Sequence, residues 1–530
     1  MSPVRSRLLA SLSTCHRLLF DHPSTLVALA GAFLVLVSAF ALNLTFLHDE
    51  GVFTFDLAAT MRDSFPATLF LLKAKPVLAL LYAPFSFLGL DAYLLFHAVL
   101  ASAAIILVGA TARHLGIAHP NVAGWVLATS MGYTVAASNG FANADGAFFL
   151  SLFLFLYFSD RRTWAAVVLG MLPLVRNELA LVWIAFLAWD LWTRKDRRFV
   201  LAALAFPVAY AGLGALYHRD LLWLLATFPG AQGIPASISF PLPSLNELGE
   251  YLRRTLLANF GLLGLLALFG WHRGDRRSIF LHGLTWSILA VMTVLQFFGA
   301  FGFDISLRYH VALLPLVALV TAYAVSSPAR LPWLGAGILA ALLLLFPPDG
   351  LSPFVAVVLV AAACRLFLGH DAFRKPADLL LLACAAGFAL TGLGTTDFGR
   401  TQHLETHRTM ALLRSSGIYR GQPVFTDIHI ARYDTCSGVT DAYFLANEAI
   451  VWEASRFLNK ANGQYDDIVR ALERQRFILE SESHAVRRDA IYLLEDGERT
   501  RRWRERIEKE GPAWVRMGRY RACYWPDERR

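Results

Sequence analysis

From residue 25 to residue 395 the chain is a succession of apolar runs, several of them near 20 residues long, separated by short polar connectors. A helical run of that length matches the hydrocarbon thickness of a bilayer, and a globular core has no room for so many of them. Charge is distributed accordingly. The 530 residues carry 48 Lys and Arg and 40 Asp and Glu, and 44 of these 88 fall from Thr396 onward. The chain therefore reads as a membrane part, 1–395, followed by a water-soluble part, 396–530.

Spans are expected near 25–47, 92–112, 121–137, 144–158, 163–175, 179–193, 199–217, 256–271, 279–300, 307–325, 331–346, 351–368 and 377–395. That is about thirteen transmembrane helices. The segments 163–175 and 179–193 are short, separated only by Arg176-Asn177-Glu178, and suit tilted half-depth helices. With the N-terminus in the cytoplasm, 17 Lys or Arg of the membrane part fall on the cytoplasmic side and eight on the other. Positive residues favour the cytoplasm, so this orientation is preferred, and an odd number of spans places the C-terminal domain outside. The first apolar run, about 23 residues, exceeds the 7–15 of a signal-peptide core and is read as an uncleaved span. The expected location is a bacterial inner membrane with the C-terminal domain periplasmic, or the endoplasmic reticulum in a eukaryote.

The net charge of +8 divides as 25 basic against 19 acidic residues before Thr396 and 23 against 21 after it. No basic tract interleaved with aromatics occurs, so nucleic acid is excluded as a partner. Of five cysteines, Cys436 and Cys523 alone lie in the outer domain. In an oxidising compartment they either close a disulfide or remain two buried thiols. No Cys/His spacing resembles a zinc site, and no metal or other cofactor is expected to be required, although Asp49 with Asp145 could in principle hold Mg²⁺ or Mn²⁺.

The outer connections are unequal, with a long first loop at 48–91 and another at 218–255. The first loop opens with His48-Asp49-Glu50-Gly51, two carboxylates at the membrane surface that could also cap the helix suggested by Val52–Ser64. Later comes Lys73-Ala74-Lys75-Pro76. Proline suits a first helical turn, so Lys75 stands where unpaired backbone N–H groups and an ammonium together would bind phosphate, or where lysines meet lipid head groups. Asp145, in Ala144-Asp145-Gly146, opens a very apolar helix as a cap or as a functional carboxylate. Arg176 and Glu178 lie at an outer turn, where they could simply pair. Asp304-Ile305-Ser306-Leu307-Arg308-Tyr309-His310 brings a cation, a phenol and an imidazole to the same face. Charges at membrane level are costly, so their convergence on one face points to a site. Carboxylates to take a proton and cations to hold a phosphate fit a reaction on a lipid-linked phosphate.

Asp49-Glu50 after the first span, Lys75-Pro76, Ala144-Asp145-Gly146, Arg176-Asn177-Glu178 and Arg308-Tyr309 before Leu314-Pro315 together resemble the GT-C superfamily of integral-membrane glycosyltransferases, especially the protein O-mannosyltransferases and the aminoarabinose lipid A transferases. The resemblance covers roughly Thr25–Ser326. It implies a polyprenyl-phosphate sugar donor, a glycan, lipid or protein acceptor, and single displacement with inversion. Asp49 then acts as base, with Glu50 or Asp145 orienting the acceptor. Lys75, Arg308 and Arg176 neutralise the leaving phosphate, with Lys73, Glu178, Tyr309 and His310 as secondary candidates. Mannose or a related sugar is the expected cargo.

The outer domain shows strand-like runs at Pro423–Ile428, Ala490–Leu494 and Trp514–Trp525 among helical stretches near Thr406–Ser416, Ala446–Lys460, Asp466–Phe477 and Thr500–Glu510, and reads as a small α/β domain. Gln464-Tyr465-Asp466-Asp467 suits a helix cap better than a metal or acceptor contact. The rival reading of the whole chain is a transporter or flippase of a lipid-linked or anionic substrate, disfavoured because no pair of internal repeats is evident.

Overall fold

Without water to bond them, backbone N–H and C=O groups inside a bilayer must pair within their own segment, and the apolar runs are accordingly helical. The computed structural model describes residues 3–42, 49–70, 75–224, 259–268, 275–297, 307–326, 360–363, 371–395, 400–426, 442–446, 477–479, 486–495, 501–517 and 520–525. The chain divides into two compact units. The first comprises Met1–Ala39, Leu95–Leu213 and Leu224–Thr396, and the second Phe40–Leu94, Gly214–Trp223 and Asp397–Arg530. The first outer loop, expected to belong with 1–395, is thus grouped with the C-terminal segment, where Leu90 packs on the sheet described below.

In chain order the first helices are α1 Pro3–Asp21, α2 Pro23–Leu42, α3 Asp49–Ser64, α4 Pro76–Ser86, α5 Leu90–His114, α6 Asn121–Ala128, α7 Met131–Ser138, α8 Ala142–Phe158, α9 Arg162–Val175, α10 Ala180–Thr193 and α11 Arg197–His218. Among the described residues, Pro23–Leu42, Leu90–His114, Arg197–His218, Arg276–Val294 and Tyr309–Ser326 are long and apolar enough to cross a membrane. α7 and α8 pass the same test jointly as a pair bent by 111°. The expected span 121–137 is not one helix. It breaks after Ala128, where Ser130 turns out of helical geometry and its hydroxyl accepts the Tyr133 amide at 3.1 Å, capping α7. Gly140, at φ 69°, then makes the sharp turn into α8. The expected 331–346 lies outside the described residues, and of 351–368 only 360–363 are described.

Within the first unit the helices differ in what surrounds them. The span Tyr309–Ser326 has 94% of its apolar window buried, against 17% for Arg197–His218, so the former is the axis of the bundle and the latter presents most of its surface outward. Close helix approach is made through small residues. A Cβ on Gly109 or Gly124 would meet Leu26 at 2.4 or 2.5 Å, which fixes α2 against α5 and α6. A Cβ on Gly170 would stand 2.6 Å from the Ala203 carbonyl oxygen, so α9 and α11 touch backbone to backbone there.

In the second unit six strands, β1 Val424–Thr426, β2 Ala442–Ala446, β3 Phe477–Leu479, β4 Ile491–Glu495, β5 Ala513–Met517 and β6 Tyr520–Tyr524, form one sheet in the order β3-β2-β1-β4-β6-β5. β1 to β4 pair in parallel, while β6 runs antiparallel to both β4 and β5. Both faces are covered, which explains the unbroken apolar run of β4. Ile491 and Leu493 join Met410 and Leu413 of helix Arg400–Ser415, while Tyr492 and Leu494 join Trp503 and Ile507 of helix Arg501–Glu508. The single expected strand Trp514–Trp525 is therefore a hairpin. Two expected helices end on strands instead, since Ala446 closes β2 and Phe477 opens β3; the stretches between, with Gln464–Asp467, lie outside the described residues.

Cys523 on β6 is a free thiol, fully buried among Phe425, Tyr492 and Trp503; Cys436, with which it could have closed a disulfide, lies outside the described residues. Burial in that apolar layer pushes the thiol up to about 12.

Gly170→Ala places a methyl group against a carbonyl that cannot rotate away. The substitution is expected to destabilise the protein by about 1–3 kcal/mol, read as a lower unfolding midpoint in detergent, whereas Gly212→Ala on the same helix pair, with open space at its Cβ, leaves it unchanged.

Candidate functional site

At one end of the first unit, the start of α8, the end of α9 and the 3-10 turn Leu307–Leu313 that leads into helix Leu314–Ser326 come together. Asp145 lies in the first turn of α8, a position that suits a negative charge facing the helix dipole. It is not the cap: that position is Phe141, which makes no side-chain capping bond. Asp145 reaches across to α5, where its Oδ1 lies 2.9 Å from His97 Nδ1, and both side chains are completely buried. His97 escaped the sequence reading. Its signal was present as an imidazole in the interior of a strongly apolar 25-residue helix, where a polar residue is rare without a partner.

Arg176 sits in extended geometry between α9 and the 3-10 turn Asn177–Leu179. Its Nε donates to Glu178 Oε1 at 2.7 Å, with both side chains about 95% buried, so the pairing suggested by their spacing is real. The guanidinium stands 5.8 Å from the centre of the Tyr309 ring, whose face favours a cation. Gly146 makes this crossing possible. A Cβ there would lie 3.0 Å from the Ala312 Cβ and 3.2 Å from the Arg176 Cγ, so the residue after Asp145 lets the arginine stem and the 3-10 turn close on α8. His310, adjacent to Tyr309, is buried as well. Asp145, Arg176, Glu178, Tyr309 and His310 are therefore one neighbourhood within this unit. Arg308 is on the same turn, but its side chain lies outside the described residues.

The remaining candidates belong to the second unit. Asp49 and Glu50 are the first two residues of α3, and their side chains lie outside the described residues, as does Lys73 altogether. Seven residues after Asp49, on the same helix, stands Asp56, a fully buried carboxylate not singled out from sequence. Lys75 is half-buried at the N-cap position of α4 with Pro76 in the first turn, as its sequence context suggested, and its carbonyl accepts the Ala79 amide at 2.8 Å.

No family model matches the sequence, and no curated protein matches it. Solved structures do. The chain superposes on the crystal structure of ArnT from Cupriavidus metallidurans bound to undecaprenyl phosphate with a TM-score of 0.57 and 15% identity, covering 94% of this chain and 97% of that one. The apo state of the same protein matches with a TM-score of 0.53 and 16% identity, over 93% and 98% of the two chains. Arabinofuranosyltransferase AftD from Mycobacteria aligns with a TM-score of 0.39 and 18% identity over 76% of this chain and 29% of that one.

Breaking a buried carboxylate–imidazole contact strands its partner in an apolar environment. In a double-mutant cycle of His97→Leu and Asp145→Leu, followed by unfolding in detergent, the coupling is expected to exceed about 1 kcal/mol, and additive effects would show that the contact holds nothing in place.

Proposed function

We propose that this integral membrane protein, whose chain has the fold of the GT-C glycosyltransferases, moves a sugar from a polyprenyl-phosphate donor to an acceptor at the outer face of a bilayer. The observation that carries the reading is the burial of Asp145, Arg176 and Tyr309 together at one end of a bundle that superposes on a structure bound to undecaprenyl phosphate. The sugar is mannose or a related hexose, and the acceptor a glycan, lipid or protein. The N-terminus is cytoplasmic and the C-terminal domain lies outside, in the periplasm of a bacterium.

In direct displacement the acceptor hydroxyl loses a proton as it attacks the anomeric carbon, while the bond to the phosphate oxygen breaks and that oxygen gains negative charge. Inversion follows because attack and departure occur on opposite faces of the sugar. Asp49 takes the proton. Asp145 or Glu50 holds the acceptor, and His97 is a positioning residue that keeps the Asp145 carboxylate in one orientation. Arg176, with its planar fork fixed by Glu178 on one edge and Tyr309 near its face, holds phosphate oxygens. Lys75 does so beside the N–H groups at the start of α4, and Arg308 adds a third cation, with Lys73 and His310 as auxiliary contacts. Charge neutralisation by these cations leaves no step that needs a metal.

Purified protein reconstituted in lipid and given a panel of polyprenyl-phosphate sugars is expected to release free polyprenyl phosphate, at the same rate with or without EDTA. Asp49→Asn lowers the rate at least about a hundredfold while the protein still inserts and folds. Absence of release from every donor, even with cell-envelope acceptors added, or full release by Asp49→Asn, overturns the respective assignment.

A further inference from the structure

The opposite end of the first unit's bundle holds a second polar cluster that sugar transfer does not use. His16 and Asp21 are at the end of α1, His119 is in the connector between α5 and α6, and Asp378 is in helix Asp371–Thr395. His119 Nδ1 lies 2.8 Å from Asp21 Oδ1, and His16 Nε2 lies 3.1 Å from Asp378 Oδ2. The two imidazoles meet edge to face with ring centres 5.0 Å apart. One ligand atom each from His16, Asp21 and His119 falls within 4.8 Å of the other two.

We propose that His16, Asp21 and His119 bind a divalent first-row transition-metal ion, zinc by preference, with Asp378 behind His16 as the carboxylate that orients its ring. Two imidazole nitrogens and one carboxylate oxygen suit zinc and its neighbours, whereas magnesium and calcium select all-oxygen sites. His16 and Asp378 are withdrawn from solvent, with 5% and 1% of their side chains exposed, and two imidazolium ions side by side would repel, so neutral rings around one cation suit this pair of histidines. A carboxylate on the far nitrogen of a ligating histidine is a recurrent outer partner of zinc.

The site is pre-formed from three directions. Asn121 donates to the carbonyls of Leu19 and His22 at 3.1 and 2.8 Å, Trp125 Nε1 donates to Leu19 at 3.2 Å, and the His119 amide donates to Ser326 Oγ at 3.0 Å. Phe20 stacks on His16 with centres 4.6 Å apart and walls one side. Entry is open at Asp21, whose side chain is 35% exposed. Ser326 and Tyr309 mark the two ends of the axial span, 18 residues and therefore about 27 Å apart, so the ion fastens α1 to the far end of the bundle and takes no part in transfer.

The test uses the full-length protein in detergent, carrying no histidine tag, stripped with EDTA, re-equilibrated with zinc and assayed by elemental analysis and by competition with a chromogenic chelator. About one zinc ion per chain is expected, with at least about tenfold weaker affinity in His119→Gln, His16→Gln and Asp21→Asn and no change in His407→Gln. Cobalt in place of zinc is expected to show the visible bands of low-symmetry coordination, and magnesium alone not to be retained. Size-exclusion profiles identify any variant that fails to fold, and Asp21→Asn, the most exposed ligand, is the variant least exposed to that failure. Zinc retained equally by the His16→Gln/His119→Gln double variant, or no stoichiometric zinc in the wild type, overturns the proposal. The readout is bound metal, so it stands or falls independently of sugar transfer.

Discussion

A hydrocarbon layer offers a polar group no partner, and the first unit is arranged around that constraint. Its axial helix Leu314–Ser326 is buried almost throughout, and Thr321 satisfies its hydroxyl on the Val317 carbonyl at 2.8 Å, one turn back. Chemistry is displaced to its ends. Tyr309 and His310 enter at the N-terminal end beside Arg176 and Gly146, while Ser326 leaves at the other beside His119. Between the two, packing relies on glycines and alanines that let helices approach without side chains, because apolar contact with lipid is nearly as favourable as apolar contact with protein.

What the sequence disclosed and what it withheld follow from the same constraint. Asp145, Arg176 and Glu178 were visible because a charge at the end of an apolar run has few explanations. His97 was not, since a single imidazole within α5 has no spacing to mark it, and only the 111° bend between α7 and α8 and the register of α8 against α5 show what it meets. The break between α6 and α7 was hidden for a related reason. Thr129-Ser130 is small and mildly polar, so hydropathy runs through it, while the cap that ends the helix depends on one hydroxyl.

In the C-terminal segment, composition revealed an α/β domain but not its register. β1 and β4 lie between neighbours on both edges and under helices on both faces, so their sequences are continuously apolar and legible. β2 and β3 are no shorter than β4 and β1, but each abuts a stretch with helical composition, which masked them. β5 and β6 carry exposed arginines, Arg516 and Arg521 standing opposite each other in the ladder, and the two strands merged into one apparent run because only two residues of sequence, Gly518 and Arg519, separate them. Helix Arg501–Glu508 is mostly charged, yet Trp503 and Ile507, four residues apart, put a hydrophobic edge on the sheet.

The Arg176–Glu178 pair is the feature whose presence stability explains least. Removing two charges from water costs several kcal/mol each, and an apolar pair of the same volume at such a place is often as stable or more so. Glu178 accepts from Nε of the guanidinium, and Tyr309 lies near its face; together they fix the plane of the fork. A lysine could supply the charge but not the plane. The proposed transfer accounts for the pair better than any contribution to holding α9 and α10 together, since the phosphate of a polyprenyl-linked donor is an oxyanion that a fixed fork meets in one orientation.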